Sequence, residues 1–522
     1  AGLDFNTVVP TRLTTGMSTR EGCASVSDAT GNLLFYTDGA RVWDRTHQLM
    51  PGSTTAIIPT GSGSTSSTAQ GALIVPVPEH IDLYYVFSLT SLEMGANAGI
   101  LFYSLIDMQR NNGLGDVVAS EKGIYLDSGF TEHMTAVEGD ECNIWILAVG
   151  KNNLLKAYNI DSSGVSSTPV LSPLLNSTPS VNLVGHLDIS TDKQKLAISR
   201  SHIELYDFDI YTGTVSNGFT VSPPGGNAHY SVCFSHGGSK LYACGGDVYQ
   251  YDLSSGIPTT ISGSGIKVGT PVGGIAGMKR APDGKIYVSR EFSIALNVIQ
   301  FPDSPGLSCD YRNEWFSLAS GTTTRLGLPN ANVPPVTRTH SLRSFPVITD
   351  CFTDADRYWL YAADTTGRDY IWDDGSNNPF REIAGEGTYW VRYQAKGNCS
   401  FYTDTFQVTF QTTKPLSWGA YPSCSDKGNG SAWVMPATAD TNSYTYIWRD
   451  AAGSVLSGSD TIKDIPSGDY TVQIISATGC DTTIQINVPE YTVSFTGDTL
   501  ICVGEELDFD NTSDPHFQTF TW

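Results

Sequence analysis

Short apolar runs separated by turns rich in Gly and Asp recur along the first 345 residues. The first unit joins Ala24-Ser25-Val26-Ser27, a turn from Asp28 to Gly31, Leu33-Leu34-Phe35-Tyr36 and Arg41-Val42-Trp43-Asp44. A second runs from Ala72-Leu73-Ile74-Val75 through Leu83-Tyr84-Tyr85-Val86 to Leu101-Phe102-Tyr103, and a third holds Ile144-Trp145-Ile146-Leu147 and Leu155-Lys156-Ala157-Tyr158. The fourth has Leu187-Asp188-Ile189-Ser190, Lys195-Leu196-Ala197-Ile198 and Glu204-Leu205-Tyr206-Asp207. The fifth repeats it with Ser231-Val232-Cys233-Phe234, Lys240-Leu241-Tyr242-Ala243 and Val248-Tyr249-Gln250-Tyr251-Asp252. The sixth has Gly277-Met278-Lys279-Arg280, the turn Pro282-Asp283-Gly284 and Lys285-Ile286-Tyr287-Val288. Apolar alternation around Asp-Gly or Gly-Gly turns predicts antiparallel hairpins.

A unit of four strands repeating every 43 to 63 residues or so predicts a β-propeller, where radial repetition leaves only short strand edges. Six blades are expected; a seventh, assembled from Asn313 to Leu326 with the N-terminal residues, is the alternative. The chain is therefore expected to be all-β, with the propeller spanning 1–348.

Beyond it the pattern changes. Cys351, Trp372, Gly387-Thr388-Tyr389-Trp390-Val391 and Cys399 are matched by Cys424, Trp448, Gly468-Asp469-Tyr470-Thr471-Val472 and Cys480. A third copy starts at Cys502 and reaches Trp522. The repetition predicts immunoglobulin-like β-sandwiches over 349–412 and 413–490, and the start of another over 491–522. The connections are expected near Gln411 to Pro415 and Pro489 to Tyr491. Trp372 and Trp448 are expected in the two cores, with Tyr389 and Tyr470 sharing one strand face with the neighbouring Val. Small sandwiches gain from stapling, so Cys351 is expected to pair with Cys399 and Cys424 with Cys480, each loop contributing about 3–4 kcal/mol. Half a sandwich cannot bury its core, so the polypeptide is expected to run on past Trp522, giving a head at Ala1 and a stalk beyond. Cys233 and Cys244 flank a hairpin and either face each other or stay as buried thiols.

Composition narrows the partners. Acidic residues outnumber basic ones 53 to 30, a net charge of −23, which argues against nucleic acid and anionic membranes. The acidity reads as a solvated surface, or as Ca²⁺-binding loops such as Asp354-Ala355-Asp356 and Asp373-Asp374-Gly375. Ten cysteines without a Cys-x-x-Cys motif suit disulfides and an oxidising compartment rather than zinc. No stretch is apolar enough to span a membrane. The start at Ala1 suits a processed N-terminus, so a secreted or cell-surface location is expected.

Catalytic signatures are missing. The nine histidines show no metalloprotease spacing, and neither a Gly-x-Ser-x-Gly elbow nor a phosphate-binding loop occurs. Carboxylates paired across blades remain open, because sequence does not show their separation. His133 and His229 are expected at the surface or in turns. No catalytic, cofactor-binding or metal-ligating residue is expected.

Gly2-Leu3-Asp4-Phe5, Glu21-Gly22-Cys23-Ala24-Ser25, Leu34-Phe35-Tyr36-Thr37-Asp38-Gly39, Val42-Trp43-Asp44 and Leu326-Gly327-Leu328-Pro329-Asn330 resemble the N-terminal propeller of large secreted Bacteroidetes proteins. The segment from Cys424 to Pro489, with Gly430-Ser431-Ala432, Tyr446-Ile447-Trp448 and Gly479-Cys480, resembles an SprB-type repeat. Phe495 to Trp522, with Cys502-Val503-Gly504, Phe509 and Asn511-Thr512-Ser513, is similar to the start of a PKD-type domain. The resemblance implies a gliding-motility-associated surface protein exported by type IX secretion and anchored through a region past Trp522. It further implies a non-enzymatic adhesin or filament component that meets an extracellular surface or glycan with its propeller. The alternatives are a secreted polysaccharide-degrading or carbohydrate-binding enzyme with a catalytic propeller, and a structural spacer. Asp-Thr pairs at Thr365, Thr461, Thr482 and Thr499 resemble the O-glycosylation sequon of that phylum.

Overall fold

The structure, a computed structural model, describes residues 1–61, 64–175, 183–221, 229–272, 276–331, 333–351, 357–396, 399–411, 417–424, 427–435, 444–477, 479–491, 495–497 and 509–511. It is all-β and divides into two compact units: 1–340 with 394–401, and 341–393 with 402–522.

Among the described residues, six antiparallel sheets follow an N-terminal hairpin in the first unit, each built on three or more strands that pair in sequence order. Their first strands are Ala24–Ser27, Ala72–Pro76, Phe130–Glu138, Leu187–Ile189, Ser231–Phe234 and Met278–Arg280. Local chemistry sets each hairpin. In the first, Ala24 and Val26 are buried while Ser25 and Ser27 face solvent. The turn that follows is closed by Asp28, whose Oδ1 accepts from the Thr30 and Asn32 amides at 2.9 Å. Gly31 there has φ +87°, a conformation that only glycine adopts without strain. Strands such as Ile144–Gly150 and Lys240–Cys244 are buried along their whole length, because both of their faces are covered.

The covering is sequential. Val26 and Phe35 of the first sheet share a core with Ile74 and Val86 of the second, and Leu73 and Phe87 share another with Ala136 and Ile146 of the third. Leu147 and Leu155 pack with Leu187 and Leu196, Ala197 and Leu205 with Val232 and Leu241, and Tyr242 with Ile286 and Val288. The last sheet, through Tyr287 and Leu296, packs on Leu3 and Phe5 of the N-terminal hairpin Gly2–Asp4/Thr11–Leu13. After the sixth sheet the chain returns to the first, where the Asn330 amide donates to the Cys23 carbonyl at 2.9 Å.

In the second unit, Arg368–Trp372, Gly387–Gln394 and Ser400–Gln411 lie side by side in one sheet. Tyr358–Tyr361 pairs with Phe380–Ile383 in another. Their core holds Leu360, Tyr370, Trp372, Val391 and Phe406. A second core holds Ala432, Tyr446, Trp448, Tyr470, Val472 and Ile486. It belongs to the sheets Ser417–Tyr421/Gly430–Met435/Thr461–Ile465 and Val455–Ser457/Tyr444–Arg449/Gly468–Ser476/Asp481–Val488. Trp372 and Trp448 are fully buried, and each indole N–H donates to a backbone carbonyl, of Asn378 and Ser459, at 2.8 Å. Tyr389 and Tyr470 each donate to a carbonyl four residues upstream, Gly385 and Pro466.

The expected cysteine pairs do not form. Cys399 is bonded to Cys142, 257 residues away in sequence and inside the first unit. Strand register explains why Cys351 is out of reach. It lies opposite Gln411, twelve residues along the strand from Cys399, roughly 40 Å when extended, whereas a disulfide needs Cα atoms within about 7 Å. The same reason separates the second pair. Cys424 lies opposite Tyr491, at the far end of Asp481–Val488 from Cys480; Cys424 is free and Cys480 is disulfide-bonded elsewhere. Cys233 and Cys244 are both buried and do not pair with each other, because register sets Cys233 opposite Tyr242 and Cys244 opposite Ser231. Cys502 lies outside the described residues.

Candidate functional site

Polar residues gather where the first strands of the six sheets begin and where the second strand of each sheet turns into the third. Sequence does not announce them, because each sits singly beside an apolar run. Glu21 precedes Ala24–Ser27, Glu132 and His133 lie on Phe130–Glu138, His186 precedes Leu187–Ile189, and His229 and Tyr230 precede Ser231–Phe234. All six are buried.

Glu21 accepts a hydrogen bond from the Tyr230 hydroxyl at 3.1 Å. Glu132 accepts from the amides of Ala69 at 2.9 Å and Leu92 at 3.3 Å. Burial outweighs these bonds and pushes both carboxyls up to about 7, with the negative groups around them adding to the rise. His133 donates through Nε2 to the Ser199 carbonyl at 2.7 Å, which fixes its tautomer. His186 packs on Tyr230 with ring centres 5.0 Å apart and the rings tilted by 52°. Burial pulls His133 down to about 4, His186 to about 3 and His229 to about 4, so all three stay neutral at pH 7. His133 and His229 are thus interior groups, not the surface or turn residues that sequence suggests. The strands on either side cover them.

Inside this rim the first strands are stitched by amides. Gln70 accepts from the Met134 and Leu187 amides at 3.1 and 2.8 Å and donates to the Leu187 carbonyl at 3.0 Å. Asn330 donates to the Ala72 and Met134 carbonyls at 3.1 and 2.9 Å. Between them and His186, Asp188, Cys233 and Lys279 remains a cavity of about 30 Å³. That is room for a water molecule or two, not for a sugar ring or a peptide.

An open depression of about 500 Å³ is lined by Ser18, Thr19, Arg20, Ser66, Glu291, Phe292 and Arg325. Arg20 and Arg325 share the carboxylate of Glu291, at 3.2 and 3.8 Å. The Arg325 guanidinium lies 3.9 Å from the centre of the Phe292 ring. Phe292 is 66% exposed and has φ +58°, a left-handed backbone costly for a bulky residue. Its amide donates to the Thr324 carbonyl at 3.0 Å.

None of the residues singled out by sequence lies in this depression. Trp372, Trp448, Tyr389 and Tyr470 serve the two cores of the second unit. Thr365 is exposed in a turn whose Asp364 accepts from the Thr366 amide at 2.8 Å. Thr461 and Thr482 are half-buried on strands, and Thr499 lies outside the described residues. Of the calcium loops, Asp354 and Asp356 fall outside the described residues. Asp373 and Asp374 both pair with Arg381, at 2.5 and 3.0 Å, so a guanidinium sits where a cation would bind. Among the described residues no cluster of three or more His, Cys, Asp or Glu side chains is placed to hold a metal ion. Nor is any helix long and apolar enough to cross a membrane.

No family model matches the chain, and no curated protein does. Among solved structures it is similar to a candidate 6-phosphogluconolactonase from Bacteroides uniformis, at 12% identity and a TM-score of 0.35 over 88% of this chain and 100% of that one. Likeness at that level implies neither a shared topology nor a shared activity.

Proposed function

We propose that the chain is a non-enzymatic cell-surface recognition protein of the adhesin kind. In this reading the first unit is a six-bladed β-propeller that serves as the recognition head, and the second supplies immunoglobulin-like sandwiches of a stalk. Six sequential meanders, each sharing a core with the next and the last with the N-terminal hairpin, support the propeller. Two cores, each centred on a buried Trp with a Tyr tied to a carbonyl four residues upstream, support the sandwiches. The Cys142–Cys399 disulfide supports an oxidising, extracellular location. Export by type IX secretion rests on the family resemblance alone.

The observation that carries the functional reading is the contrast between the two openings. The cavity beside Gln70 and Asn330 is only about 30 Å³, while the depression lined by Arg20 and Phe292 is broad and bears charged, hydroxyl and aromatic groups. Such a face suits contact with an extended surface or glycan rather than enclosure of a reacting bond. Glycan and surface binding by the full chain, measured beside hydrolysis of the same polysaccharides, tests it. Binding without turnover is the expected result.

The buried carboxyls favour one rival, a glycan-cleaving enzyme that uses Glu21 or Glu132 as general acid. Turnover abolished by Glu21→Gln would establish that rival and sink the adhesin reading.

A further inference from the structure

The loop-face depression carries chemistry more selective than a general surface contact. Two guanidiniums, Arg20 and Arg325, share one carboxylate, Glu291, which leaves one positive charge in a chain of net charge −23. Behind Arg20, Glu21 is buried and bound to Tyr230; with its carboxyl raised to about 7 it carries less than a full negative charge at neutral pH. Against the Arg325 guanidinium stands Phe292, exposed and in a left-handed backbone, its amide bonded to the Thr324 carbonyl. Strain of this kind persists only where the surroundings over-determine it, and it clusters at ligand contacts. Arg325 stacks on one face of the ring, and the exposure of Phe292 leaves ring surface open to solvent.

We propose that this depression binds an acidic glycan, a sugar bearing a carboxylate or sulfate: the anion on Arg20 and Arg325, the apolar face of the ring on Phe292, and ring hydroxyls on Ser18, Thr19 and Ser66. This rests on the recognition reading above and names its ligand class. A carboxylate or sulfate group suits the planar donor forks of arginine. An acidic peptide fits less well. Peptides dock on free strand edges or in deep apolar grooves, whereas here the backbones of the lining loops pair with each other, Glu21 N–H to the Ser66 carbonyl and Gly327 N–H to the Arg20 carbonyl.

The test uses the full chain and calorimetric titration with four probes: an oligogalacturonate, a sulfated galactan oligosaccharide, a neutral galactan oligosaccharide and a polyglutamate peptide. At least one acidic oligosaccharide is expected to bind about tenfold or more tighter than the neutral one, and the two acidic arms tell carboxylate from sulfate. Phe292→Gly, which suits the left-handed backbone, and Arg325→Gln should each weaken binding about tenfold. Glu291→Gln frees the guanidiniums and should tighten it roughly two- to fivefold, a gain that structural damage would not produce. Equal binding of neutral and acidic sugars, both weakened by Phe292→Gly, overturns the acidic ligand and leaves the recognition face standing. Tightest binding of polyglutamate overturns the glycan. Acidic-sugar binding untouched by all three variants overturns the site, and binding of none of the four probes overturns the recognition reading with it.

Discussion

Replacing Glu21 by Gln tests the electrostatics of the rim. The amide keeps the size of the side chain and still accepts the Tyr230 hydroxyl, so the change removes the titrating group with little change of shape. Burial holds this carboxyl near 7, against its ordinary 4.5. Between those values the unfolded chain releases its proton while the folded protein keeps it. The unfolded state therefore binds fewer protons, and the Glu21 contribution is fully present below about 4.5 and lost as pH rises through about 7. One carboxyl shifted this far corresponds to about 3 kcal/mol. His133, His186 and His229 act in the opposite sense. Their folded values of about 4, 3 and 4 lie below the ordinary 6.5, so they destabilise the fold increasingly as pH falls below 6.5. The two sets oppose each other between about 4.5 and 6.5, and the pH profile of the unaltered protein alone does not resolve either. The difference between variant and parent does. Amide hydrogen exchange of peptides from Phe130–Glu138 and Ser231–Phe234 reads opening of this region in the full chain. From about pH 5 to about pH 8 the opening free energy of Glu21→Gln should rise by about 2–3 kcal/mol relative to the parent. Part of the upward push on Glu132 comes from Glu21, so the variant also relieves its neighbour, which enlarges the rise. A difference that stays flat across this range would refute a buried protonated carboxyl at Glu21.

Peptide mapping without reduction should recover Cys142 linked to Cys399, and no Cys351–Cys399 peptide; in the chain-entropy model Cys142→Ser then costs about 5 kcal/mol. Trp448→Ala empties the centre of its core and should destabilise the second unit by about 3–5 kcal/mol in urea unfolding, with little change at the Glu21 rim. Calcium or a chelator should leave thermal unfolding unchanged, because the Arg381 guanidinium already occupies the place between Asp373 and Asp374; a calcium-dependent shift abolished by Asp374→Asn would contradict this.

The elements were legible where local pattern decides them. Alternation at Ala24–Ser27 and the unbroken apolar run Ile144-Trp145-Ile146-Leu147 point directly to strands that form, and Trp372 and Trp448 read as core because each sits in a repeated strand. What depends on distant segments meeting was not legible. Arg20, Glu291 and Arg325 touch across about 300 residues, and nothing local in Arg20 or Phe292 marks them as neighbours of one depression. The cysteines show how repetition misleads. Equal spacing suggests one staple per module, yet strand register carries Cys351 and Cys424 to the wrong ends of their strands, and the partner of Cys399 lies 257 residues upstream. Even His133 and His229 look ordinary in sequence, since nothing beside either reveals that it is buried.

The Cys142–Cys399 bond also sets the route by which a pulling force travels along the chain. Tension applied beyond residue 402 and resisted before residue 142 crosses the sulfur bridge and bypasses the polypeptide between them. The 257-residue span is then withheld from extension, roughly 900 Å of slack at full stretch. Until that bond is reduced, a chain pulled in this way yields only by the segments outside the loop, and His186 and Tyr230 of the rim lie inside it.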